Sequence, residues 1–204
     1  MDEIVTRAMQ KWPNVPNVFG WLKLDRRGNW LVKTRAASER EPAFDRISNA
    51  AVIEFIGRNY QPDARGRWFF QNGPQRVFVT LEYTPLVYRL RGDGRSIETH
   101  AGALVAAPKA AWVDDAGMLV LETEHGPGVV LDRDLPALLE RIVVRDGNPA
   151  DDTVLESLAD GKRPNLALVL GQHRVALGSI GAAEVPQRFG FDPAPKPAPG
   201  QAEC

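Results

Sequence analysis

The residues able to do chemistry in this chain are few and scattered. Its three histidines, His100, His125 and His173, stand far apart, and no HxxxH or HExxH pair joins them. Glu122, Glu124 and His125 come nearest to a ligand set, but on a strand both glutamates face away from the histidine. No metal and no other cofactor is implied. The five serines, Ser38, Ser48, Ser96, Ser157 and Ser179, lie in no nucleophile motif, and neither a P-loop nor a GxGxxG turn is present. Asp114-Asp115 and Asp132-Arg133-Asp134 are carboxylate pairs of the kind used in acid–base or Mg²⁺ chemistry. Turn and helix-cap roles account for them more simply.

One segment stands out. Between residues 58 and 78, Arg58, Arg65, Arg67 and Arg76 interleave with Tyr60, Trp68, Phe69, Phe70 and Phe78. On a strand, Trp68 and Phe70 share one face and Arg67, Phe69 and Gln71 the other, with Arg76 and Phe78 together on the next strand. A sheet displaying rings beside guanidinium forks could hold phosphate or carboxylate, or stack bases. The candidate ligand-binding set is therefore Arg58, Tyr60, Arg65, Arg67, Trp68, Phe70, Arg76 and Phe78. The competing and weightier reading makes the rings core residues, with arginine stems packed over the rim.

The elements that must position these residues read as α+β. A helix is expected from Asp2 to about Lys11, another from Phe44 or Asp45 to Arg58, a third near Asp134–Val143 and a shorter one near Asp151–Ala159, with a helical turn from about Ala182. Strands are expected around Phe19–Leu24 and Asn29–Thr34, at Trp68–Gln71 and Arg76–Tyr83, and then at 86–91, 103–107, 111–113, 118–123, 129–131, 166–170 and 174–177. Asn72-Gly73 suggests a type I′ turn, and Pro74 an edge or distorted strand start. Asp25-Arg-Arg-Gly28, Asp63-Ala-Arg-Gly66 and Asp114-Asp-Ala-Gly117 repeat one turn pattern ahead of an apolar run. Aspartate accepts backbone N–H groups there and glycine takes positive φ, a hairpin device rather than a repeated ligand site. The resulting architecture is antiparallel hairpins and meanders with two or three helices on one face. It divides into a basic, aromatic-rich subdomain at 1–95, an acidic one at 96–190 and a disordered Pro-rich tail at 191–204.

The runs KWPNVPNVFGWLKLD, DRRGNW and RNYQPDARGRWFFQNGPQRVFVTLEYTP resemble a family of uncharacterised, mainly proteobacterial proteins known only as a domain of unknown function. The resemblance spans residues 1 to about 190. It implies a cytosolic bacterial protein and supplies no activity, cofactor or site residue.

The 204 residues carry a net charge of −1, and the first hundred hold 16 Lys+Arg against 11 Asp+Glu. The remainder reverses that balance, 9 against 15. Apolar content of 44% excludes a disordered chain. A single cysteine, Cys204, precludes an internal disulfide, and neither a secretory signal nor a membrane span is visible. A cytoplasmic location is expected. The leading functional expectation is a binding or regulatory module whose Arg/aromatic segment contacts an anionic small molecule or a protein partner. The second is a small metal-independent enzyme using Asp114 or Glu122 in a cleft between the subdomains. Nucleic-acid binding ranks third, because the chain is slightly acidic and its basic stretch is short. Oligomeric state and the identity of any ligand lie beyond the sequence.

Overall fold

The computed structural model describes residues 1–34, 43–144, 147–151 and 165–198. It divides into two compact units, Met1–Pro85 with Gly190–Cys204, and Leu86–Phe189. The changeover at Pro85 precedes the expected one after residue 95.

In the first unit, α1 (Glu3–Lys11) precedes β1 (Val18–Leu24), β2 (Trp30–Lys33) and β3 (Phe44–Arg46). Next come α2 (Ala50–Arg58), β4 (Tyr60–Pro62), β5 (Trp68–Asn72) and β6 (Gln75–Leu81). They form a six-stranded sheet in the order β3-β2-β1-β6-β5-β4. The second unit contains β7 (Leu86–Leu90), β8 (Ile97–Thr99), β9 (Ala110–Asp114), β10 (Leu119–Thr123) and β11 (Gly126–Val130). A 3₁₀ turn (Asp132–Asp134), α3 (Leu135–Leu139), β12 (Ile142–Val144), β13 (Leu166–Leu170) and β14 (His173–Ile180) follow. The unit closes on a second 3₁₀ turn (Ala182–Glu184) running into α4 (Val185–Phe189). Its sheet runs β12-β13-β14-β9-β10-β11-β7-β8.

The two sheets are built on one plan. Each has a three-stranded meander, a helix and a second meander, with the first and last strands of the set paired in parallel at the centre. The registers coincide: Leu24 pairs with Trp30 and Leu81, as Val113 pairs with Leu119 and Ser179. The helix ends coincide as well. Asn59 N–H donates to Ile56 and its carbonyl accepts from Gln71 N–H, as Arg141 does with Leu138 and Val169. Ile56 and Leu138 are both buried at these ends.

The fold class stands as α+β, rich in β. The sheets are mixed, however, because β1–β6, β7–β11 and β9–β14 pair in parallel, and the helices do not gather clearly on one face. The second helix starts at Ala50, where Asn49 accepts from Val52 N–H, while Phe44–Arg46 adds a strand to β2. The third is only α3, since Ile142–Val144 pairs with β13. The helix expected near 151–159 lies outside the described residues apart from Asp151. Residues 103–107 form no strand: the Glu124 carboxylate binds the N–H groups of Ala106 and Ala107 there. Asn72 pairs with Gln75, so the connection is Gly73-Pro74, with Gly73 at φ +57° as a type II′ turn requires. Pro74 thus lies in the turn, and β6 is interior, between β1 and β5.

The first part of the tail is packed. Phe191 and Pro195 are buried, Leu81 N–H donates to Pro193, and Asp192 N–H to Gly66. Two apolar anchors and these main-chain bonds offset the ordering of a proline-rich segment. Residues 199–204 lie outside the described set.

All three expected aspartate turns share one geometry. Asp25, Asp63 and Asp114 each accept from the N–H groups two and four residues on. Gly28, Gly66 and Gly117 take φ of 79°, 74° and 78°.

Candidate functional site

Strands β4, β5 and β6 carry the Arg/aromatic segment and sort it onto two faces. Trp68 and Phe70 go to one side, where the Phe70 ring meets Phe55 of α2 edge-on at 5.5 Å. Tyr60 sits 4.8 Å from Trp68 and 4.9 Å from Trp30, and its hydroxyl donates to the Pro85 carbonyl at 3.0 Å. Burial pushes the Tyr60 phenol well above its ordinary range. Trp68 and Phe70 are both buried, so this side is core.

On the opposite side, Phe78 stacks on Phe19 at 4.6 Å with the rings within 7° of parallel, and Phe69 lies 5.7 Å from Phe78. Two guanidinium groups close over them, Arg67 at 4.4 Å from the Phe78 ring and Arg76 at 4.7 Å from Phe69. Phe69 and Phe78 retain 2% and 1% exposure, which leaves no open ring for a base to stack on.

The four arginines have different surroundings. Arg58 binds Asp2 through Nε at 3.2 Å and lies 3.9 Å from Glu54. That guanidinium holds the Asp2 carboxyl below its usual range. Arg67 donates to Asp63 Oδ2 through Nε at 2.8 Å and Nη2 at 2.7 Å. Burial works against the Asp63 charge, yet the bonds from Arg67 and from the Arg67 and Arg65 N–H groups keep its carboxyl below the usual range. Arg65 is exposed beyond the same turn. Arg76 has neither a hydrogen bond nor an ion pair from its guanidinium among the described residues, and the guanidinium lies over the Phe69 ring. Its cross-strand neighbour Gln71 is buried, donates to the Gly73 carbonyl at 2.9 Å and keeps an Oε1 with no hydrogen-bond partner among the described residues.

Of the eight expected residues, the structure therefore brings Arg67, Arg76 and Phe78 together over one aromatic stack. Trp68 and Phe70 lie in the core, Tyr60 is half-buried against Trp68, Arg58 is bound to the first turn of the chain, and Arg65 projects from a loop. Two participants were missed. Asp63 neutralises Arg67, a pairing visible in retrospect in their four-residue separation across a turn. Gln71 carried no signal beyond its alternation with Phe70.

Other candidate chemistry is occupied structurally. Asp114 holds its turn, Asp134 accepts from Leu90 N–H at 2.9 Å, and His125 Nε2 binds the Leu104 carbonyl at 2.7 Å. The carboxylates with perturbed proton affinity, Asp2, Asp63, Asp93 and Glu124, are all shifted down. A general acid at neutral pH needs the opposite shift. Among the described residues there is no cluster of three metal-ligating side chains and no helix long and apolar enough to cross a membrane.

No curated protein matches the chain. A DUF1285 family protein from Silicibacter pomeroyi DSS-3 shares the fold, with a TM-score of 0.50 at 14% identity over 88% of this chain and 97% of that one. A second DUF1285 protein, from Shewanella baltica OS155, aligns at 0.37 and 14% identity over 55% of this chain and 85% of its own. The DUF2944 family model, described as "Protein of unknown function (DUF2946)", matches residues 1–196, and the chain belongs to that family.

Proposed function

We propose that the protein is a non-catalytic binding module whose first unit takes an anionic group at Arg76. The observation that carries this reading is the Arg76 guanidinium itself, placed over Phe69 at 4.7 Å while no carboxylate among the described residues neutralises it. A cation held in place by a ring loses little freedom on meeting an anion, and its outer N–H groups remain as donors. Arg67 beside it is already satisfied by Asp63 and serves to cover Phe78. The enzyme reading loses support because Asp114 is committed to a turn and the perturbed carboxylates are all shifted down. With its lone cysteine, the chain fits a reducing compartment such as the cytoplasm. NMR of the arginine Nε–H signals during titration with inorganic tripolyphosphate tests the proposal: the Arg76 signal moves and saturates while that of Arg67 stays in place. A stationary Arg76 signal rejects it.

A further inference from the structure

A cavity of about 390 Å³ lies within the second unit, between the β7–β8 turn, the segment after β8 and the β13–β14 hairpin. Its polar lining includes Arg95, Ser96 and His173, and its apolar lining Ile97, Pro108 and Leu170. Neither the Arg95 guanidinium nor the His173 ring has a hydrogen-bond or ion-pair partner among the described residues. Both project from hydrogen-bonded turns. Asp93 accepts from the N–H groups of Arg95 and Ser96 at 2.8 and 2.9 Å and from the Ser96 hydroxyl at 2.6 Å. Gly171, at φ +59°, opens the two-residue loop that seats His173 opposite Leu170. Behind the first turn, Arg141 Nη2 donates to the Gly94 carbonyl. The neighbouring acids are engaged elsewhere: Asp93 within its turn, Glu124 on the N–H groups of Ala106 and Ala107, and Glu98 with Arg89 and Arg91.

We propose that this cavity binds a small organic acid, its carboxylate between Arg95 and His173 and its apolar body along Ile97, Pro108 and Leu170. Two unpartnered basic side chains favour an anion, and a guanidinium fork matches a carboxylate. A bare inorganic anion would leave the apolar wall unused. The volume falls at the small end of sites for small molecules, which run from roughly 300 to 1,000 Å³. This site lies in a different unit from Arg76, so either proposal can fail alone.

Hexanoate serves as the probe, in calorimetric titration of the full chain against hexan-1-ol, acetate and inorganic phosphate. Hexanoate is expected to bind at one saturable site, at least about tenfold tighter than each control: hexan-1-ol lacks the charge-assisted hydrogen bond, worth about that factor, and acetate and phosphate lack the apolar body, whose buried CH₂ groups contribute about fourfold each (about 0.8 kcal/mol). Arg95→Gln is expected to weaken hexanoate by a similar factor and His173→Phe by less, with unchanged circular dichroism. Arg76→Gln leaves the affinity as it was. Shifts of the Ile97 and Leu170 methyl signals in the unaltered protein locate the site independently of any variant. Equal binding of hexanol or phosphate, an unchanged affinity in folded Arg95→Gln, or methyl signals that do not move would overturn the proposal.

Discussion

Gly66 faces Gly190 so closely that a Cβ at position 66 would collide with the Gly190 carbonyl, while Gly66 itself accepts from Asp192 N–H at 3.0 Å. This contact seats the segment after α4 against the β4–β5 turn within the first unit. Gly66→Ala should therefore destabilise by more than the about 1–2 kcal/mol that a left-handed residue costs alone. Gly117→Ala, at the matching position of the Asp114 turn but with open space beside it, should cost only that amount. Chemical denaturation of both variants checks the difference.

Asp63 joins turn geometry to charge, and two substitutions separate them. Asn at 63 can still accept from the Arg65 and Arg67 N–H groups but loses the charge facing the Arg67 guanidinium. Asp63→Asn is expected to lose about 1.5–3 kcal/mol, the scale of a charge-assisted hydrogen bond, and Asp63→Ala more. Both partners are largely shielded, at 11% and 18% side-chain exposure, so the loss should change little with added salt. Equilibrium unfolding at low and high ionic strength measures it.

Acid should expose the Asp93 turn. The Ser96 hydroxyl, the Ser96 and Arg95 N–H groups and the charge of Arg91 hold the Asp93 carboxyl down to about 2. A depressed carboxyl stabilises the folded state above its unfolded value of about 3.9, and that contribution vanishes as pH falls through the folded value. The stability difference between the wild type and Asp93→Asn should thus be constant above about pH 5 and shrink progressively toward zero as pH falls to about 1, as read from denaturation midpoints across that range.

The stack of Phe19, Phe78 and Phe69 is the core of the first sheet on its arginine side. Phe78→Ala should cost about 3–5 kcal/mol, the usual loss for a buried phenylalanine. It also removes the ring beneath Arg67, whereas Phe78→Leu should cost clearly less. Thermal unfolding of the two variants checks the ranking.

Much of this fold is legible in the sequence where chemistry is local. The three aspartate turns follow from Asp and Gly at fixed spacing, because side chain and φ preference act within five residues. The strands of three residues, at Phe44, Tyr60, Ile97 and Ile142, escape detection, since period-two alternation has no length in which to show. The parallel pairing of β1 with β6 and of β9 with β14 is equally hidden, being set by burial between segments more than fifty residues apart. The same limit applies to the site. Composition placed arginines beside aromatics, but which guanidinium would meet a carboxylate depended on Asp63 turning back upon Arg67. That contact removed Arg67 from the candidate set and left Arg76.

Anion binding by this protein depends on Arg76, and the melting temperature of the full chain with hexaglutamate or inorganic tripolyphosphate tests that dependence most directly. Ligand bound only by the folded state raises stability by about 2.7 kcal/mol at a hundredfold excess over Kd. A rise with at least one probe in the wild type, abolished in Arg76→Gln while the melting temperature without ligand is preserved, is the predicted result. A rise of equal size in Arg76→Gln, or no rise with either probe, would contradict the account.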